Sequence, residues 1–227
     1  IRDSDTKDGP FNDCGAFGSP NWLEFDPKYP HLVYVAADRG AGDENEGNGN
    51  MRILDLKNQY VGTALTEGDM GGTNRGRALA FFDENHMAVA VDQGDELRAA
   101  VYGFTRNREA PEGDERNYKM WGNRLALVNC KACNTVTFHP VDGDMYFNSW
   151  DKGQFFKVEK QQIQEIFDGT RTTPADKEVL FQMDNGWEYN IRIHPTGNYA
   201  YIVSINKHYI QRSNYDWASK PFVTPFI

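Results

Sequence analysis

The chain has 227 residues, 39% of them hydrophobic and 25% charged, with 14 Phe, 11 Tyr and 5 Trp. That length supports a real core, and no apolar run approaches the roughly eighteen residues a membrane-spanning helix needs. A formal net charge of −9 argues against nucleic acid, whose phosphates call for a basic face, and three Cys are too few to scaffold so long a chain with disulfides.

Ile1, Arg2, Asp3 and Ser4 show neither an initiator Met nor a basic start leading into an apolar run. The sequence therefore reads as a mature form or an excised piece, with any export signal or lipid anchor outside it. Self-comparison then aligns four segments, 22–27, 79–84, 136–140 and 191–195, each an apolar or aromatic run ending in Asp or His. Anchored on Asp26, Asp83, His139 and His194, they recur at spacings of 57, 56 and 55 residues. After each anchor come a short turn and a β-forming run, at 32–35, 87–91, 145–147 and 199–203. A polar loop follows, then a third strand at 51–56, 98–104, 154–158 and 209–212, and a fourth at 60–65, 124–129, 178–182 and 222–227. An insertion at 40–50, a polar stretch at 106–116 and a short helix at 159–167, stopped by Gly169, extend loops without breaking the repeat.

Four-stranded units at this period predict an all-β chain folded as a β-propeller, with blades at approximately 15–65, 75–130, 134–183 and 188–227. An open sandwich is the alternative, but a sandwich needs no equal spacing. The repeat places Phe25, Phe82, Phe138 and Ile193 at equivalent inward positions. The first unit, with Gly9, Phe11, Trp22–Asp26, the run Tyr34-Val35-Ala36 to Asp38, and Arg52-Ile53, resembles an NHL-type repeat. The long, aromatic-rich blades look like those of secreted Bacteroidetes lipoproteins in which an Ig-like IPT/TIG domain precedes the propeller. That resemblance implies six blades, hence a chain holding part of a larger ring, with closure at four blades as the alternative, and an exported or cell-surface setting and an upstream Ig-like domain.

His139 and His194 share a His-Pro turn and are expected to cap it rather than to meet at a metal. Cys130 and Cys133 form a lone Cys-x-x-Cys without the second ligand pair a structural zinc requires. They are expected to be small structural thiols at a tight blade junction, with a disulfide as the alternative. Residues 42–50 are acidic and Gly-rich, expected to be mobile, but lack EF-hand spacing; Asp43 and Glu46 are the candidate ligands if calcium binds there. No nucleophile elbow and no phosphate-cradling Gly loop is present. Asp38 and Asp92 fall in related loops, but Ser149 and Ser204 fill the matching places in the other two units, which is thin support for a metal-using lactonase or lyase.

Chain direction brings the loops after the second and fourth strands onto one rim. That rim carries Arg39, Trp150, Asp151, Lys152, Asn206 and His208 from one loop set and Asn21, Trp22, Asn134, Trp187 and Tyr189 from the other. Trp22 is expected to begin a buried first strand. Indoles flanked by amides and charges suit sugar rings, whose apolar face stacks while the hydroxyls hydrogen-bond. The residues thus point to a non-catalytic binding module for glycan or a surface protein, with a metal-dependent propeller enzyme or a pure protein scaffold as alternatives. No cofactor is implied.

Overall fold

The computed structural model describes residues 8–12, 20–37, 51–66, 68–71, 75–92, 100–113, 116–149, 153–182, 188–204, 209–214 and 224–225. They build four antiparallel sheets from chain-consecutive strands. The first holds β2 (Pro20–Phe25), β3 (Leu32–Ala37), β4 (Met51–Asp55) and β5 (Tyr60–Leu65), with β1 (Gly9–Pro10) added outside β5. The second runs β6 (Arg75–Phe81), β7 (His86–Asp92), β8 (Ala100–Arg106), β9 (Trp121–Asn129). The third runs β10 (Cys133–Phe138), β11 (Met145–Ser149), β12 (Gln154–Val158), β13 (Glu178–Gln182), and the fourth β14 (Glu188–Ile193), β15 (Tyr199–Ser204), β16 (Tyr209–Asn214), β17 (Thr224–Pro225). β2 packs on β6, β6 on β10 and β10 on β14, so the first strand of each sheet lies innermost. The fold is a β-propeller, as the repeat predicts.

The second strands of blades 2 and 3 are covered by a blade on each side, which is why they read as continuous rather than alternating apolar runs. Met87–Val91 and Met145–Ser149 are buried throughout. One core cluster joins the first three blades, and a smaller one of Phe155, Ile191, Ala200 and Ile202 joins the third to the fourth. The single helix among the described residues, α1 (Lys160–Phe167), starts one residue later than expected. Asp144 Oδ1 accepts from Lys160 N at 2.8 Å and satisfies one of its otherwise open N-terminal donors. Ile163 and Ile166 are buried, and the Phe167 ring lies 4.3 Å from that of His86 in blade 2.

The repeat is real, but its register in blade 2 is one residue off the sequence alignment. The turn after each first strand is closed by Asp26 N to Leu32 O, Phe82 N to His86 O, His139 N to Asp144 O and His194 N to Tyr199 O. The equivalent of Asp26 is therefore Phe82, not Asp83. The turn of blade 2 is the shortest, and Asp83 sits inside it, accepting from Asn85 N at 2.7 Å and contacting His86 Nδ1 at 2.9 Å. The inward set becomes Phe25, Phe81, Phe138 and Ile193, and within it Phe25 is 61% exposed because no described residue covers that face of blade 1.

Each anchor reaches the next blade by a different chemistry. Asp26 is bound by Arg106 of blade 2 through both carboxylate oxygens, at 3.0 and 2.9 Å. Phe82 meets Phe138 of blade 3 edge-on at 5.3 Å. His139 Nε2 bonds Gly197 O of blade 4 at 3.0 Å. Gly197 has φ +76°, and a Cβ there would lie 2.7 Å from the His139 ring, so only glycine fits. His139 and His194 also cap their own turns, accepting from Asp142 N and Thr196 N at 3.2 Å, and are structural as expected. Cys130 and Cys133 correct the thiol expectation: they are joined in a disulfide across the β9–β10 connection, with Cα atoms 5.8 Å apart. Ala132, at φ 52°, folds the short loop back and brings the two together.

Two outcomes are expected. Asp26 and Arg106 side chains are 0% and 2% exposed, so Asp26→Ala leaves a buried guanidinium uncompensated and should lower unfolding free energy in urea by about 3–5 kcal/mol, with part recovered on adding Arg106→Leu. Burial, and then the Asp26 charge, hold the Tyr34 phenol well above its ordinary pKa; burial and its bond to Asp55 do the same for Tyr118. The folded state keeps both protonated where the unfolded chain ionises, near pH 10, so stability present below about pH 10 should be lost as pH rises beyond it, read by circular dichroism.

Candidate functional site

The pairing of first and second strands slips at one place in every blade. Partners jump from Pro20 to Trp22, Gly76 to Ala78, Cys133 to Thr135 and Glu188 to Asn190. The extra residues are Asn21, Arg77, Asn134 and Tyr189, at intervals of 56, 57 and 55 residues. A bulge releases its residue from the ladder, bends the strand and re-aims the side chain. All four lie beside the ends of β3, β7, β11 and β15, at the rim where second strands end and first strands begin. Asn21 is exposed, Arg77 half-buried and Asn134 buried. Asn148, itself buried, accepts the Thr135 N–H with its side-chain oxygen at 3.0 Å, a donor that regular pairing would have used.

The residue after the bulge matters in two blades. The Trp22 indole Nε1 and the Thr135 hydroxyl are buried with no hydrogen-bond partner. Orphaned polar atoms of this kind call for water or for the polar groups of a bound molecule. Trp22 is 6% exposed, as expected for a first-strand core residue. Its ring is covered by the Arg192 guanidinium at 3.7 Å, which also donates to Glu24 Oε2 at 2.6 Å and to Leu23 O at 2.8 Å. Glu24 and Arg192 hold the same place in their strands, three residues beyond the bulge, and tie blade 4 to blade 1.

Of the ligand residues expected from sequence, the structure describes Asn134 and the backbone of Tyr189, and brings them to equivalent bulges in adjacent blades. Arg39, Trp150, Asp151, Trp187, Asn206 and His208 lie outside the described residues, as do Asp43 and Glu46 with the rest of 40–50. Arg77 is the residue that sequence reading misses. Counting back one repeat from Asn134 would have found it. Among the described residues no group of three or more His, Cys, Asp or Glu is placed to hold a metal, and no helix is long and apolar enough to cross a membrane, which says nothing of a β-barrel.

No family profile and no curated protein matches the chain. Solved structures do. An auxiliary nutrient binding protein from Bacteroides thetaiotaomicron is 34% identical over 98% of this chain and 44% of its own, with a TM-score of 0.70. A candidate phosphatase from the same species is 30% identical over 98% of this chain and 49% of its own, TM-score 0.76. An auxiliary nutrient binding protein from Bacteroides ovatus is 26% identical over 96% and 45%, TM-score 0.69. The chain thus spans about half the length of these proteins. A gluconolactonase from Xanthomonas campestris, 10% identical over 83% and 55% with a TM-score of 0.56, shares the fold alone.

Arg192→Ala should lower unfolding free energy by about 1 kcal/mol, a modest figure because its side chain is 44% exposed. Arg192→Lys keeps the charge but not the planar stack and should recover less than half of that in urea titrations.

Proposed function

We propose that the chain is a non-catalytic binding module whose bulged rim takes carbohydrate. The observation that carries this reading is the set of four first-strand bulges, which puts Asn21, Arg77, Asn134 and Tyr189 at equivalent places in the four blades; by sequence, Trp150 follows β11 and Trp187 precedes β14. Amides, a guanidinium and a phenol offer directional hydrogen bonds, and the two indoles offer stacking faces; Arg39, Asp151, Asn206 and His208 belong to the same loop sets. Similarity to two Bacteroides proteins named for auxiliary nutrient binding supports the reading. The proposal extends to an exported, cell-envelope setting, a ring completed to six blades of NHL type and an Ig-like domain in the whole polypeptide. Calcium, if it binds, takes Asp43 and Glu46.

A hydrolytic reading draws on the similarity to a candidate phosphatase. Turnover of a phosphate ester, a lactone or a uronate polymer that a chelator abolishes would decide for it.

Calorimetry and affinity gels against a polysaccharide panel test the proposal. Binding with a Kd of about 1 mM to 1 μM is expected, weakened by about 1–3 kcal/mol in Trp150→Ala or Trp187→Ala. Absence of binding to every polysaccharide overturns it.

A further inference from the structure

The opposite end of the propeller carries a second concavity. The β2–β3 turn, the β4–β5 turn and the β8–β9 connection all lie away from the bulges, and between them they enclose a cleft of about 590 Å³. Its walls are Tyr29, His31, Lys57 and Asn58 from blade 1 and Ala110, Pro111 and Glu112 from blade 2. That volume is within the range of about 300–1,000 Å³ typical of small-molecule sites. None of these residues belongs to the bulged rim.

Several of the wall residues are held in place without a ligand. Lys28 Nζ bonds the Glu109 carboxylate at 2.8 Å and ties the first turn to the blade-2 connection. Leu56 N donates to His31 O at 2.9 Å and joins the two blade-1 turns. Asn58 is held by Asp55, which accepts from its backbone N at 2.9 Å, from its side-chain amide at 2.7 Å and from Tyr118 O–H at 2.7 Å. Burial works against the Asp55 charge, but the bonds from Asn58 and Tyr118 outweigh it and hold the carboxyl below its ordinary pKa. Arg106 lies 5.2 Å from the Tyr29 ring centre, while the same guanidinium binds Asp26. A site already ordered loses little entropy when it binds.

The chemistry of the lining selects among ligands. The Glu109 charge is matched by Lys28, and the lining holds one further charge of each sign, Lys57 and Glu112, so there is no excess of either sign to hold a free ion. A calcium or magnesium ion wants oxygen ligands alone, and a wholly apolar ligand would leave the polar groups of Lys57, His31 and Glu112 unused. Donors and acceptors interleaved with the Tyr29, Ala110 and Pro111 surface match a molecule with both hydroxyls and C–H faces. We propose that this interblade cleft binds a short neutral oligosaccharide, independently of the bulged rim.

The test uses the whole chain, native and with Trp150→Ala and Trp187→Ala combined, titrated by calorimetry with neutral gluco-, manno-, xylo- and galacto-trisaccharides and with a trigalacturonate. Saturable binding of at least one neutral trisaccharide should persist in the double Trp variant, and the trigalacturonate should not compete. Lys57→Ala and Glu112→Ala, both at exposed positions, should each weaken that binding about three- to tenfold, the scale of one lost hydrogen bond. Ala110→Trp, which fills the cleft, should abolish it. Absence of neutral-sugar binding in the double Trp variant, or binding there indifferent to Lys57, Glu112 and Ala110, overturns the proposal. Failure of the rim reading alone would appear instead as native affinity unchanged by the Trp substitutions.

Discussion

Asp26 is a fully buried carboxylate, and the way it is satisfied organises the join between the first two blades. Its Oδ1 accepts from the backbone N–H of Lys28 and Tyr29, its Oδ2 from the Tyr34 hydroxyl, and both accept from Arg106. Tyr34 in turn takes the Trp121 indole N–H at 2.8 Å, and the Arg106 guanidinium lies 4.4 Å from the centre of that indole. Taking two charges out of water costs several kcal/mol, and only a dense set of partners offsets it. The set spans a turn and the second strand of blade 1 and the third and fourth strands of blade 2. Shifting either blade by a residue would break several of its members at once, so the ion pair acts as a register lock more than as a source of net stability.

The same position in the next two blades is solved with a pair of rings and with an imidazole on a carbonyl. Equal spacing makes the repeat legible in sequence, because blade length is set by the geometry of four strands and their turns. Which residue faces the neighbour is less legible, since nothing in one strand records what the adjacent blade presents. Asp83 illustrates the limit: a turn carboxylate lies one residue from the true anchor Phe82, and like chemistry at Asp26 draws the alignment toward it. Phe25 illustrates another. It holds the same strand position as Phe138, yet its exposure depends on whether a sheet lies against it.

The candidate site was half legible. Chain direction and antiparallel pairing suffice to bring the starts of the first strands, with Asn134 and Tyr189, to one rim. The bulges escape a reading based on alternation, because a single extra residue in a six-residue strand changes the pairing without changing the composition. Asn134 and Tyr189 are recoverable as loop-flanking polar residues, whereas Arg77 is masked by its own surroundings, Arg75-Gly76-Arg77, which read as a plain strand entry. The cleft at the other end has no sequence signature at all. It arises where three turns from two blades meet, and its residues are scattered over more than eighty positions between Tyr29 and Gly113.

The repeated bulge also bears on how such a protein can change. A residue outside the ladder can be replaced without disturbing the backbone pairing on either side. Four such places at one level, filled here by an amide, a guanidinium, a second amide and a phenol, amount to interchangeable fittings on a fixed frame. Lineages that share the frame could diverge in what they hold by drifting at these four positions while the core is kept by purifying selection. The rim would then be the part of the molecule where evolutionary rate and ligand preference move together.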